Sequence, residues 1–227
     1  MSRVAVLQGF FSRHPVLRGE LLARYPDVTF KEDDRILEGQ NLIDFLRGHD
    51  KVIMSIDRLT ADVIAALPEL KVVAKHGVGM DSIDIKAMRE HGVELGWTGG
   101  VNKRSVSEIA LGYMLGALRH IPLCDRNMRA GDTWNRIKGT ELSAQTVGII
   151  GCGHIGKDLV RLLAPFRCRV LANDILDFPE FYAEHGVEPV ALDDLLREAD
   201  VVTVHTPFND TTYHLSGAAE LGLMKSA

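Results

Sequence analysis

"IIGCGHIGKDLV", residues 149–160, is the stretch on which the fold of this 227-residue chain turns. Glycines at 151, 153 and 156 have the spacing G-x-G-x-x-G, a weak signal alone in a chain with 21 glycines. Its surroundings give it meaning. "TVGII" is a strand-like run ending at the first glycine, and "KDLVRLLAPF" (157–166) has helical spacing after the third. The next strand-like run, "CRVLAND" (168–174), ends in Asp174, 18 residues beyond Gly156. Strand, glycine turn, helix, strand and acid in that order form the dinucleotide-binding unit.

Each residue type has a physical task there. Gly151 permits the tight turn, Gly153 lets a pyrophosphate approach the backbone, and Gly156 lets the helix pack on its strand. The amides of His154 and Ile155, at the helix start, lack helical acceptors and face the phosphate charge. His154 is read as the carrier of a backbone donor. Asp174 is expected to accept hydrogen bonds from the adenosine ribose, and its carboxylate repels a 2′-phosphate, so the cofactor expected is NAD and not NADP. A strand-end turn is the alternative use for this carboxylate.

Composition narrows the class. Apolar residues make up 46% and charged residues 25%, the balance of an ordinary globular protein. A net charge of -5 with no basic stripe argues against a nucleic-acid partner. No apolar run reaches the roughly 18 residues of a membrane span. The start, "MSRVAVLQGFF", lacks a signal-peptide core, so a cytoplasmic location is expected. Cys124, Cys152 and Cys168 lack metal-ligand spacing, so no metal site is expected and all three read as reduced thiols. Cys152, inside the glycine turn, has two readings: an oxidant-sensitive thiol, or simply a small residue in a tight turn, which is preferred.

Strand-like and helix-like runs alternate along the chain, the pattern of β-α units feeding parallel sheets. The first series has strands at 3–8, 51–56, 71–76 and 92–97, with helices at 15–25, 60–67 and 82–92. "TGGVNKR" (98–104) reads as a linker. It leads into the longest helical signal, 105–121, with Val106, Ile109, Ala110, Tyr113, Met114, Ala117, Leu118 and Ile121 on one stripe. Ser105 and Glu108 fit a capping box. The second series has strands at 145–150, 168–174, 187–191 and 200–207. The expectation is α/β: two Rossmann-like or flavodoxin-like parallel-sheet domains, residues 1–99 and 100–227, the second incomplete at its C-terminus.

Several stretches together resemble the D-isomer-specific 2-hydroxyacid dehydrogenase family, which includes phosphoglycerate, glycerate/glyoxylate and formate dehydrogenases. They are "KHGVGMDSIDI" (75–85), "NKRSVSEIALGYMLGALR" (102–119), "GTELSAQTVGIIGCGHIGKDLVRLLAPF" (139–166) and "ADVVTVHTPFNDTTYHL" (199–215). The resemblance implies a substrate-binding first domain, an NAD-binding second domain, and hydride transfer between NAD(H) and a small 2-hydroxy or 2-keto acid. Gly77, Val78 and Gly79 are implied to hold the substrate carboxylate in an anion nest, with Val78 also at the nicotinamide end and Asn102 beside the same cleft. Lys75 joins them as a substrate contact; His76 is the less favoured candidate, as a general base. His205, Thr206, Pro207 and Thr212 are implied to border NAD, although a structural loop role for His205 and Thr212 stands beside that reading.

In phosphoglycerate dehydrogenases an Arg for the substrate phosphate tends to precede "LTADVI". Met54 holds that place here, with Arg58 four residues on, which puts 3-phosphoglycerate in doubt. The resemblance places the catalytic Arg, Glu and His beyond Ala227, so no catalytic residue is expected within the chain and no turnover from it alone. Homodimerisation through the 105–121 helix is a further expectation. A non-catalytic, corepressor-like NAD-binding module is the alternative. A short-chain dehydrogenase is excluded, since no Tyr is followed four residues later by Lys.

Overall fold

The computed structural model describes residues 2–132 and 136–226. The chain divides into two compact units, Met1–Gly99 and Gly100–Ala227. The first runs β1 (Arg3–Val6), α1 (Gly9–Arg13), α2 (Pro15–Arg24), β2 (Asp27–Phe30), α3 (Gly39–Leu46), β3 (Lys51–Met54), α4 (Ala61–Ala65), β4 (Val72–Lys75), α5 (Ile85–Glu90) and β5 (Glu94–Gly96). Its five strands are all parallel in the order β2-β1-β3-β4-β5. Its core gathers Ala5, Leu7, Leu42, Leu46, Val52, Met54, Leu59, Ile64, Val73 and Met88.

The second unit runs α6 (Lys103–Leu118), α7 (Ile121–Arg129), β6 (Thr146–Ile150), α8 (His154–Leu163), β7 (Arg169–Asn173), α9 (Pro179–His185), β8 (Val187–Pro189), α10 (Leu192–Glu198), β9 (Val201–Val204) and α11 (Ala218–Leu223). Its sheet, order β8-β7-β6-β9, is also wholly parallel. Period-2 alternation sends β6 and β7 side chains to opposite cores. Val147, Ile149, Val170 and Ala172 join Met114, Leu159 and Leu163 on one face. Ile150 and Leu171 join Leu195, Leu196 and Ala199 on the other. Burial on both faces is what a parallel sheet requires, and it explains the near-continuous apolar run "TVGII".

Two local expectations are corrected. The 105–121 helix is two helices, because His120 takes a left-handed conformation at φ 51° and ends the first, leaving Ile121 to open α7. The Ser105/Glu108 capping box does not form. Asn102 is the N-cap and makes no side-chain cap bond, so Ser105 already lies inside the first turn of α6. Of the apolar stripe only Met114 is fully buried, while Ile109 and Tyr113 stand exposed. Val106, Ile109, Ala110, Tyr113, Met114 and Ala117 of the stripe, with Val201–His205, line an open groove beside β9, which among the described residues pairs only with β6.

Candidate active site: a glycine turn and an amide nest

In the second unit the strand order reverses between β6 and β9, and ligands of open α/β sheets bind at the carboxyl ends of strands at such a point. The G-x-G-x-x-G turn sits there, and its three glycines are needed for three different reasons. Gly151 has φ +93°, and a Cβ on it would lie 2.8 Å from the carbonyl carbon of His205 and 3.0 Å from the amide of Thr206. Gly156 packs helix on strand: its Cβ would stand 2.4 Å from the Gly151 carbonyl oxygen and 3.2 Å from Ile149 Cγ2. Gly153, the N-cap of α8, meets nothing within 4 Å. That open space lies beside the amides of His154 and Ile155, which donate to no other described residue.

Asp174 follows β7 and closes on the same turn. Its Oδ2 accepts from the Cys152 amide at 2.6 Å, and its Oδ1 accepts from the Leu176 amide at 2.9 Å. A carboxylate has about four lone-pair sites, so acceptor capacity remains for two hydroxyls. The turn-forming use of Asp174 and free capacity toward a ligand therefore coexist. Ile175 beside it is 99% exposed, an apolar side chain at the rim of the turn. Lys157 in the first turn of α8 is committed elsewhere, its ammonium 3.3 Å from the centroid of Phe178.

Other expected residues contribute unevenly. His205 lends its backbone: its amide donates to the Ile150 carbonyl at 2.7 Å, while its ring is held by Thr203 Oγ1 at 3.0 Å. Burial pulls that imidazole below its ordinary pKa. Thr206 is half-buried and Pro207 exposed beside Gly151. Thr212 Oγ1 donates to the Pro207 carbonyl at 2.6 Å and accepts from the Asn209 amide, closing the 207–212 loop on itself. Cys152 is completely buried, and burial pushes its thiol up to about 11 despite Lys157 nearby. The thiolate is the reactive form, so burial favours the preferred reading of Cys152 as a small packed residue over an oxidant-sensitive thiol.

In the first unit, Ser55, Ile56, Lys75, His76, Gly77, Val78, Gly79, Asp81 and Ser82 line a cleft of about 250 Å³ at the carboxyl ends of β3 and β4. The amides of Gly77, Val78 and Gly79 donate to no other described residue, and Gly77 has φ +127°. Trp97, which the sequence reading passed over, donates from Nε1 to the Val78 carbonyl at 3.0 Å and fixes that peptide. Lys75 Nζ donates to the Ser55 carbonyl and, at 3.1 Å, to Ser82 Oγ. Burial lowers its pKa, opposed by the charges of Asp81 and Asp57. Three free amides and the half-buried Lys75 amine are donors of the kind that can hold a carboxylate. His76 lies edge-on to Phe11, with centroids 6.1 Å apart. Asn102 is exposed, its amide side chain uncommitted.

Met54 is wholly buried in the core of the first unit, and the neighbouring Ser55 and Ile56 face the cleft. Arg58 is exposed and outside the cleft lining. Among the described residues no group of three His, Cys, Asp or Glu could hold a metal ion, and no helix is long and apolar enough to cross a membrane.

Residues 111–227 match the family model for the D-isomer specific 2-hydroxyacid dehydrogenase, NAD binding domain. The chain is 35% identical over 176 residues to a hydroxypyruvate reductase of Thermotoga maritima, covering 77% of this chain and 56% of that protein. It is 32% identical over 215 residues to a glyoxylate reductase of Aeropyrum pernix, covering 91% of this chain and 64% of that one. A D-3-phosphoglycerate dehydrogenase of Mycobacterium tuberculosis is 39% identical over 158 residues, covering 69% of this chain and 30% of its own length. The matched stretches thus amount to less than two thirds of each relative. Among solved structures, a pyruvate reductase of Chlamydomonas reinhardtii aligns with TM-score 0.78 at 28% identity, over 99% of this chain and 67% of that one. A D-lactate dehydrogenase from Aquifex aeolicus, complexed with NAD and lactic acid, shares the fold with TM-score 0.86 at 21% identity, over 98% and 66%. The chain belongs to the D-isomer specific 2-hydroxyacid dehydrogenase family, an oxidoreductase family whose nucleotide domain binds NAD.

Proposed function

We propose that this chain carries the NAD site and the carboxylate seat of a dehydrogenase that moves a hydride between NAD(H) and a small 2-hydroxy or 2-keto acid. One observation carries the reading furthest. The space above Gly153 is open, two helix N-terminal amides are free beside it, and Asp174 closes the same turn with lone pairs to spare. The amides of His154 and Ile155 would hold the pyrophosphate of NAD, and Asp174 would accept from its ribose hydroxyls. In the first unit, the amides of Gly77, Val78 and Gly79 hold the acid's carboxylate, with Lys75 supplying the positive charge. NAD supplies the hydride acceptor; this chain's own residues bind and orient. Thr206 and Pro207 border the adenosine end. The protein acts in the cytoplasm as a homodimer, with the exposed α6 face, Ile109 and Tyr113 above all, as the contact.

Trp97 reports on the carboxylate seat, because its Nε1 is bonded to Val78. With Trp134 replaced by Phe, a titration of the single-Trp protein with glyoxylate, hydroxypyruvate and pyruvate in the presence of NADH is expected to give a saturable change in Trp97 emission. Replacing Lys75 with Met is expected to weaken that response about tenfold or more, the scale of a lost charge-assisted contact. Saturation by none of the acids, in a protein that binds NADH, sinks the substrate assignment.

A further inference from the structure

Asp158 is a charged residue in the wrong place for stability. It lies in the second turn of α8 among Leu159, Val160 and Leu163, and its side chain is only 5% exposed. Its Oδ1 accepts from Arg104 Nη2 at 3.0 Å, while Oδ2 has no partner among the described residues. Burying a carboxylate with one oxygen unsatisfied costs more than an apolar side chain of the same volume, and the best-attested return for such a pair is fixed register.

The register at stake is local to the pyrophosphate turn. Arg104 is the second residue of α6, two places after the exposed N-cap Asn102. Two more contacts join the same segments. Ser107 Oγ lies 3.4 Å from the Ile155 carbonyl while donating to the Lys103 carbonyl at 2.7 Å. Gly100, at φ +71°, has no room for a Cβ, which would stand 2.6 Å from the His154 ring. Residues 100, 104 and 107 thus grip residues 154, 155 and 158, the turn whose free amides face the ligand.

We propose that Arg104 is a positioning residue for the dinucleotide. By pairing with Asp158 it holds the first turns of α8 against the start of α6 and cancels a carboxylate one helical turn behind the pyrophosphate amides. The inference rests on the NAD reading above. Arg104 itself touches no ligand in this account.

The test is a calorimetric comparison of NAD, ADP-ribose and adenosine on four proteins: the unaltered chain, Arg104→Gln, Asp158→Asn and the double variant. Arg104→Gln is expected to weaken NAD and ADP-ribose about tenfold, the scale of one uncompensated charge roughly 10 Å from a pyrophosphate at an effective dielectric constant of about 20. Adenosine, which does not reach the pyrophosphate amides, should change less than about twofold. Adding Asp158→Asn to Arg104→Gln should bring NAD back to within about threefold, because an amide needs no counter-cation. Three results overturn the proposal: an unchanged NAD affinity in Arg104→Gln, equal weakening of NAD and adenosine, or no rescue in the double variant. Should Arg104→Gln fold poorly, the double variant, which has no unpaired charge, still decides, since the proposal requires it to bind NAD nearly normally. Failure of the unaltered chain to bind NAD would instead strike the functional reading itself.

Discussion

The three glycines of the turn should respond differently to one added methyl group. On Gly156 the new Cβ would lie 2.4 Å from the Gly151 carbonyl oxygen, against an ordinary contact of 3.4–4 Å. The obstacle is backbone, so α8 must lift from β6 by about 1 Å. That helix buries Leu159, Val160 and Leu163, and overpacking of this kind costs about 1–3 kcal/mol. At roughly 2–4 °C per kcal/mol, Gly156→Ala should melt about 2–12 °C below the parent. Gly153 is the opposite case. Its φ is −74° and nothing lies within 4 Å of its Cβ position, so Gly153→Ala should cost no more than about 1 kcal/mol, the scale of an N-cap change. Its methyl would nevertheless occupy the space through which, in the proposed function, a pyrophosphate would reach the amides, so NAD affinity should fall about tenfold or more. Gly151→Ala should lose both, from a left-handed φ and the 2.8 Å approach to His205. Far-UV circular dichroism melts and NAD calorimetry on the three variants separate these outcomes. A Gly153→Ala protein that melts as low as Gly156→Ala, or a Gly156→Ala protein within about 1 °C of the parent, refutes the reasoning.

Two pH-linked predictions follow from Cys152 and Asp50. Cys152 has its thiol raised from 9.0 to about 11 by burial. The protonated form is favoured in the fold, so its contribution is complete below pH 9 and is lost as the pH rises from 9 toward 11. Cys152→Ala should flatten that decline in a urea-midpoint profile, and iodoacetamide at pH 8 should label Cys124 well before Cys152 in the native protein. Asp50 titrates in the other direction. Burial opposes its ionisation, but Ser2, Lys51 and the Arg3 amide outweigh it and hold the carboxyl down to about 2. Its contribution is present above about pH 4 and is lost as the pH falls toward 2, so Asp50→Asn should destabilise the chain at pH 6 and make little difference near pH 2.

The glycine turn was legible because its requirements are local: a strand, three glycines, a helix start and an acid at a fixed interval. The parallel strands were legible for the same reason, since runs such as "TVGII" are apolar on both faces. Short elements were not. β2 is four residues at a sheet edge, Asp27 exposed and the other three half-buried, and the alternation in "DVTF" is too short to stand out from its surroundings. The break at His120 was missed because a left-handed non-glycine residue leaves no pattern behind it. Trp97 and the Arg104–Asp158 pair join residues 19 and 54 positions apart, and no spacing rule reaches that far.

The measurement that bears most directly on the account is a calorimetric titration of the chain with NAD and NADP, repeated on Asp174→Ala. One saturable NAD site per chain and clearly weaker NADP binding are expected, since a 2′-phosphate would face the Asp174 carboxylate. Asp174→Ala should weaken NAD and narrow the gap between the two cofactors. An unchanged ratio of NAD to NADP affinity in a folded Asp174→Ala protein, or no saturable NAD binding by the parent chain, would contradict it.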